Sequence, residues 1–140
     1  MISLRLVVDT NIVVSAALKP EGPQRMVLLV ATTKPAMLFV SDGILLEYRT
    51  VLKRPELGLR RGRRLQLLQF IENHVRKIHP KREVSAAADP SDDKFLECAE
   101  AARADYLVTG NLKHFPRYWR STKIVTSREF LEILSPHRPL

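Results

Sequence analysis

Two short runs narrow the folds open to this chain more than any other feature. "RLVV" (residues 5–8) and "YLVT" (residues 106–109) are apolar on successive rather than alternate positions. That is how strands buried on both faces read, and such strands belong to parallel sheets covered by helices. Between and around them the apolar spacing changes to a helical period. Strands separated by helices imply right-handed crossovers and an α/β class: a three-layer α/β/α arrangement around a parallel sheet of about five strands.

The element pattern follows from spacing and punctuation. Strands are predicted over residues 4–8, 37–40, 75–79, 105–109 and 123–125. Helices are predicted over 12–18, then 24–32 after the break "PEGP", with Met26, Leu28, Leu29 and Val30. Another spans 43–53, capped by Ser41 and burying Ile44, Leu45, Tyr48, Val51 and Leu52. Pro55 ends it, and a loop over 56–62 leads to a helix over 63–73 with Leu65, Leu68 and either Phe70 or Ile71 inward. A polar segment, 80–92, precedes a short amphipathic helix built on Phe95, Leu96, Ala99 and Ala102. The capping-box pattern Thr126-Ser127-Arg128-Glu129 opens the last helix, with Phe130, Leu131 and Leu134 as its apolar face. No repeat or composition break divides the 140 residues, so a single domain is expected over 1–140.

The stretch "LVVDTNIVV" sets Asp9 between two apolar runs. An ionised carboxylate there costs several kcal/mol unless a cation or hydrogen-bond donors replace its lost water. Asp9 follows the first strand, Glu47 lies about one turn into the helix after the second, and Asn111 follows the fourth. These are carboxyl-end positions, the edge at which open α/β sheets bind ligands. Asp92 and Asp93 open the helix leading into the fourth strand and can face the same edge. Taken singly, Asp9, Asp92 and Asp93 are equally well explained as helix-capping or first-turn acids. Taken together, they form a cluster of like charges that raise one another's pKa, a conflict a divalent ion resolves. Hard oxygen ligands suit Mg²⁺ or Mn²⁺.

Lysine and arginine outnumber aspartate and glutamate by 23 to 15, a formal charge of +8. That balance favours a polyanionic partner, with nucleic acid the first candidate. An acidic pocket within a basic protein pairs a surface that holds a polyanion with an ion that can cut it. The densest positive cluster is Arg60, Arg61, Arg63 and Arg64 around Gly62. Lys113 and Arg117 lie in a loop with Tyr118, Trp119 and Arg120 that suits stacking on unpaired bases. A solvated face, or a patch for a protein partner, explains the arginine cluster at least as well. His74, His79, His114 and His137 are scattered, and only His114 is near the proposed mouth. Cys98 reads as a small buried hydrophobe on a helix face. No run approaches the ~18 apolar residues of a membrane span, and no leader pattern opens the chain; a cytoplasmic protein without a membrane partner is expected. Glycine-rich phosphate loops are absent from a chain with five glycines.

The segments "VVDTNIVVSAAL", "VSDGILLEYRTVLKRPEL", "DPSDDKFLECAEAARADYLVTGNLKHF" and "KIVTSREFLEIL", in this order and covering most of the chain, resemble the PIN-domain ribonucleases. The likeness is strongest to the small toxin-like members of prokaryotic toxin–antitoxin systems. The resemblance implies a Mg²⁺- or Mn²⁺-dependent endoribonuclease acting on RNA, a cognate antitoxin protein and a homodimer. It implies Asp9, Glu47 and Asp93 as the acidic triad, with Asp92 able to share or take the third role. Thr10, Asn11, Thr109 and Asn111 become groups that orient the acids. The family often has a fourth acid where this chain has Asn111. A nucleic-acid or protein-binding module on the same fold is the alternative.

Overall fold

The structure, a computed structural model, describes residues 3–135. The chain opens with β1 (Leu4–Val8), α1 (Thr10–Leu18), α2 (Pro23–Ala31), β2 (Ala36–Val40) and α3 (Asp42–Leu52). A 3₁₀ turn at Pro55–Leu57 leads to α4 (Arg61–His74) and β3 (Val75–Lys77). After residues 78–89 come a second 3₁₀ turn, Pro90–Asp92, then α5 (Asp93–Ala102) and β4 (Tyr106–Val108). A third 3₁₀ turn, Leu112–His114, precedes β5 (Tyr118–Trp119), β6 (Thr122–Val125) and α6 (Ser127–Leu134).

The strands form one sheet in the order β3-β2-β1-β4-β6-β5, parallel except for the β5–β6 hairpin. The parallel part has five strands, and "RLVV" and "YLVT" are its adjacent central pair, with Leu6, Val7, Val8, Leu107 and Val108 fully enclosed. Helices cover the sheet in a three-layer α/β/α arrangement: α2 packs on β2, α5 on β1 and β2, and α6 on β4 and β6. The chain winds outward from β1 to β3 and then returns to add β4 on the other side of β1. That reversal leaves a crevice beyond the carboxyl ends of β1 and β4. Residues 9 and 109, the first beyond each strand, face each other across it.

Local signals act as their chemistry predicts. Ser41 caps α3 by accepting from Ile44 N at 3.2 Å, and Thr126 and Glu129 close a full capping box on α6. Tyr48 is fully buried, and its hydroxyl donates to the Val8 carbonyl, tying α3 to the end of β1. Cys98 lies in the core.

Four expectations are corrected. The sheet carries a sixth strand where residues 117–120 read as an irregular loop; two residues are too short for any periodicity, and the hairpin turns at Arg120, whose φ is 55°. β3 stops at Lys77, although Ile78 N still donates to Val40 O at 2.8 Å. The helix expected to begin at residue 63 begins at Arg61 and turns Leu67, Leu68 and Ile71 inward, leaving Leu65 and Phe70 exposed. On α6, Phe130 is buried and Leu131 half-buried, while Leu134 is exposed, because the helix ends at the rim of the core. His137 lies outside the described residues.

Candidate active site

Asp9 begins the site. It occupies the N-cap position of α1, yet its side chain makes no capping hydrogen bond. Asp9 is 5% exposed, and its carboxylate accepts instead from the Thr109 hydroxyl at 2.7 Å. Thr109 is fully buried and in turn accepts from Asn111 N at 3.0 Å, which fixes the hydroxyl's direction. Burial pushes the Asp9 carboxyl above its ordinary range; Thr109 opposes that rise, and the negative charges of Asp92 and Glu47 add to it. Helix capping does not explain this acid.

Glu47 reaches the same place from α3. Its Oε2 accepts from the Thr10 hydroxyl and its Oε1 from Lys94 Nζ at 2.7 Å. Asp92, the last residue of the second 3₁₀ turn, completes the group. It also caps nothing with its side chain, and it faces His114 Nδ1 at 3.3 Å. Burial raises its pKa first, then the charge of Asp89; His114 works against the rise. Asp9, Thr10, Asn11, Glu47, Asp89, Asp92, Lys94, Arg54 and His114 all line one cleft of about 660 Å³. Its walls hold four carboxylates against two permanent cations, so the crevice is negative within a chain of net charge +8.

Asp93 is placed elsewhere. It is 8% exposed and its Oδ1 accepts from Ala86 N at 3.0 Å and Ala87 N at 2.8 Å. On the same face of α5, Glu97 accepts from Val84 N at 3.0 Å and Glu100 from Arg82 at 2.7 Å. Asp93, Glu97 and Glu100 stand at i, i+4 and i+7, one stripe of a helix. That stripe straps residues 82–87 along α5, so Asp93 is engaged there while Asp92 lines the cleft.

The remaining residues divide. Asn111 contributes its backbone N–H to Thr109 and its side chain is not part of the cleft wall. Arg60 precedes α4, and Arg63 lines a separate apolar groove with Ala17, Leu28, Leu29, Leu67 and Phe70. Arg61 is exposed and Arg64 half-buried. Arg117 pairs with Glu129 at 2.6 Å, and Lys113 is exposed in the third 3₁₀ turn. Sequence reasoning passed over Asp89, Arg54 and Lys94. Lys94 directly follows the acid pair, and its position on the first turn of α5 was the available signal.

The donor set suits a hard divalent cation. It is all oxygen, it carries excess negative charge, and its most buried member holds a raised pKa. Among the described residues no three His, Cys, Asp or Glu side chains are gathered closely enough to enclose an ion by themselves, so retained water would complete its shell.

Residues 5–113 match the family described as PIN domain. Over 143 aligned positions the chain is 26% identical to the uncharacterized protein MJ1680 of Methanocaldococcus jannaschii, covering 94% of this chain and 92% of that one. Its fold is similar to that in the crystal structure of VapBC2 from Rickettsia felis bound to a DNA fragment from their promoter, with a TM-score of 0.60 and 16% identity over 88% of this chain and 98% of that chain. It is also similar to that in FitAB bound to an IR36 DNA fragment, with a TM-score of 0.54 and 12% identity over 87% and 94% of the two chains. At those identities the two structures speak for the fold.

Proposed function

Because this chain belongs to the PIN-domain family, whose members typically use divalent metal ions, we propose that it is a Mg²⁺- or Mn²⁺-dependent endoribonuclease and the toxin of a type II toxin–antitoxin pair. One observation carries the reading: Asp9 is buried, caps nothing, and shares a negative cleft with Glu47 and Asp92. A carboxylate held at that cost, at the reversal point of a parallel sheet, suits a cation-assisted site.

Asp9, Glu47 and Asp92 are the catalytic acids in this reading. Asp9 and Asp92 would hold the ion directly or through water, and Glu47 orients the attacking water or takes its proton. The ion, when bound, makes water a better nucleophile and offsets charge developing on the phosphoryl oxygens. Thr109 and Thr10 are positioning residues, each fixing one carboxylate through its hydroxyl. Water adds to phosphorus as a P–O bond of the RNA breaks, and the leaving oxygen takes up a proton. Arg54, on the cleft wall, and the exposed Lys113 and Arg61 suit the phosphates of the strand.

The groove carrying Arg25 and Arg63 over Leu28, Leu29, Leu67 and Phe70 suits an acidic amphipathic segment, and an antitoxin is its proposed partner. Homodimerisation, a single domain over 1–140 and a cytoplasmic location are part of the same proposal. No helix among the described residues is long and apolar enough to cross a membrane.

The second reading, a binding module without catalysis, is favoured by one observation: Lys94 and His114 already stand against Glu47 and Asp92. Cleavage of total RNA by purified protein with Mg²⁺, Mn²⁺ or chelator, read by end mapping, separates the two. Metal-dependent cleavage that disappears in Asp9→Asn with the fold retained supports the nuclease. Equal cleavage by that variant assigns the activity to a contaminant.

A further inference from the structure

Lys94 stands inside the proposed cation cleft, a position the nuclease reading does not use. Its side chain is half-buried, as is that of Glu47, at 25% and 27% exposure. The ammonium donates to Glu47 Oε1 at 2.7 Å and to the Ser91 carbonyl, which fixes it beside the 3₁₀ turn that carries Asp92. The ammonium also lies over the Phe95 ring, 5.5 Å from its centroid. Thr10 takes the other oxygen of Glu47, so both oxygens of that carboxylate have donors. An ammonium fixed by a carboxylate, a backbone carbonyl and a ring face is ordered by the fold rather than left to solvent. We propose that Lys94 is a built-in counter-ion, which offsets part of the cleft's negative charge at Glu47 and so sets the metal concentration at which Asp9 and Asp92 take up the divalent cation.

This inference rests on the reading of the cleft as a cation site. Its physical basis is that a carboxylate already paired with one cation adds less to the field that draws in another. A positive group already beside Glu47 repels an incoming ion and lowers the net negative charge the cleft offers it. His114, 3.3 Å from Asp92, is the only other cleft cation standing against a carboxylate of the triad among the described residues, and only when protonated. Arg54 lines the wall without an ion pair to any of the three acids among the described residues.

The test is the affinity of the RNA-free protein for Mn²⁺, measured by titration calorimetry and by the electron paramagnetic resonance signal of free ion. Lys94→Met keeps an unbranched apolar side chain and removes the charge; Lys94→Gln removes the charge with a polar end. Both are expected to bind Mn²⁺ about 1.5- to 5-fold more tightly than the wild type, the range a single partly exposed ion pair supports. Both are also expected to gain more thermal stability from Mn²⁺ than the wild type does. Asp9→Asn is expected to lose the binding. Equal or weaker affinity in both lysine variants, with binding lost in Asp9→Asn, overturns the role of Lys94 and leaves the cation site standing. Unchanged binding in Asp9→Asn, or none in any of the proteins, overturns the cation site and this inference with it.

Discussion

Thr109→Val tests how the buried acid is held. The substitution keeps the shape of a fully buried side chain and deletes one hydroxyl, which donates to Asp9 Oδ2 at 2.7 Å and accepts from Asn111 N at 3.0 Å. A hydrogen bond to an ionised group contributes roughly 1.5–3 kcal/mol, and stranding the half-buried Asn111 N–H costs about 1 kcal/mol more. The expected loss at pH 7 in chelator is about 2.5–4 kcal/mol, or roughly 9–14 °C in melting temperature for a chain of this size. The pH profile carries the stronger test. The native Asp9 pKa lies above its ordinary value of 3.8, so the folded protein keeps that proton to higher pH than the unfolded chain, and Asp9 lowers stability as pH rises through that interval. Removing a donor to the ionised form lifts the native pKa further. The gap between variant and wild type should therefore be smallest where both hold a neutral acid, widen as pH rises past the wild-type native pKa, and level off above the variant's. Thr109→Ser, which restores the hydroxyl and loses a methyl group, should cost about 1 kcal/mol with no such widening. Denaturant unfolding from pH 4 to 8 gives both curves. A loss for the valine variant that is flat across this range refutes the hydrogen bond to the Asp9 carboxylate.

Neighbouring acids should part company. Asp93→Ala strands the Ala86 and Ala87 N–H groups and is expected to lower stability by about 2–4 kcal/mol. Asp92→Ala, which removes a charge raised in pKa by burial, should leave the melting temperature nearly unchanged while ending metal-dependent cleavage. For Cys98, burial pushes the thiol up to about 12, so a thiol reagent at pH 8 should label it only after unfolding, by mass spectrometry. If the arginine cluster meets RNA, replacing Arg60, Arg61 and Arg63 by Gln should flatten the slope of log affinity against log salt, by about 0.7 for each single-strand phosphate that is no longer neutralised; an unchanged slope assigns the cluster to another partner.

The fold was legible because its signals are local. Ser41 and Thr126 announce helix starts through contacts within a few residues, and "RLVV" and "YLVT" announce strands enclosed on both faces by an unbroken local apolar run, although they pair with each other across about 100 residues. Asp9 was legible as a charge needing an answer, since apolar runs flank it on both sides. The β5 hairpin was not, because two residues have no period and their pairing depends on β6 already being in place. On α4, the choice of Ile71 over Phe70, and of Leu67 over Leu65, came from how the helix meets the core rather than from its own spacing.

The sequence by itself determined that acids would gather at the carboxyl edge of a parallel sheet, since strand order and connection handedness leave few other places for residues following strands. Only the tertiary structure decided which acid faces inward. One residue is about 100° of rotation at the start of a helix, and which of Asp92 and Asp93 meets the cleft depends on residues 82–87 lying along the Asp93, Glu97 and Glu100 stripe and claiming Asp93 for their backbone N–H groups. The same rotation carries Lys94 to Glu47, 47 residues away in the chain, a pairing that no local pattern encodes.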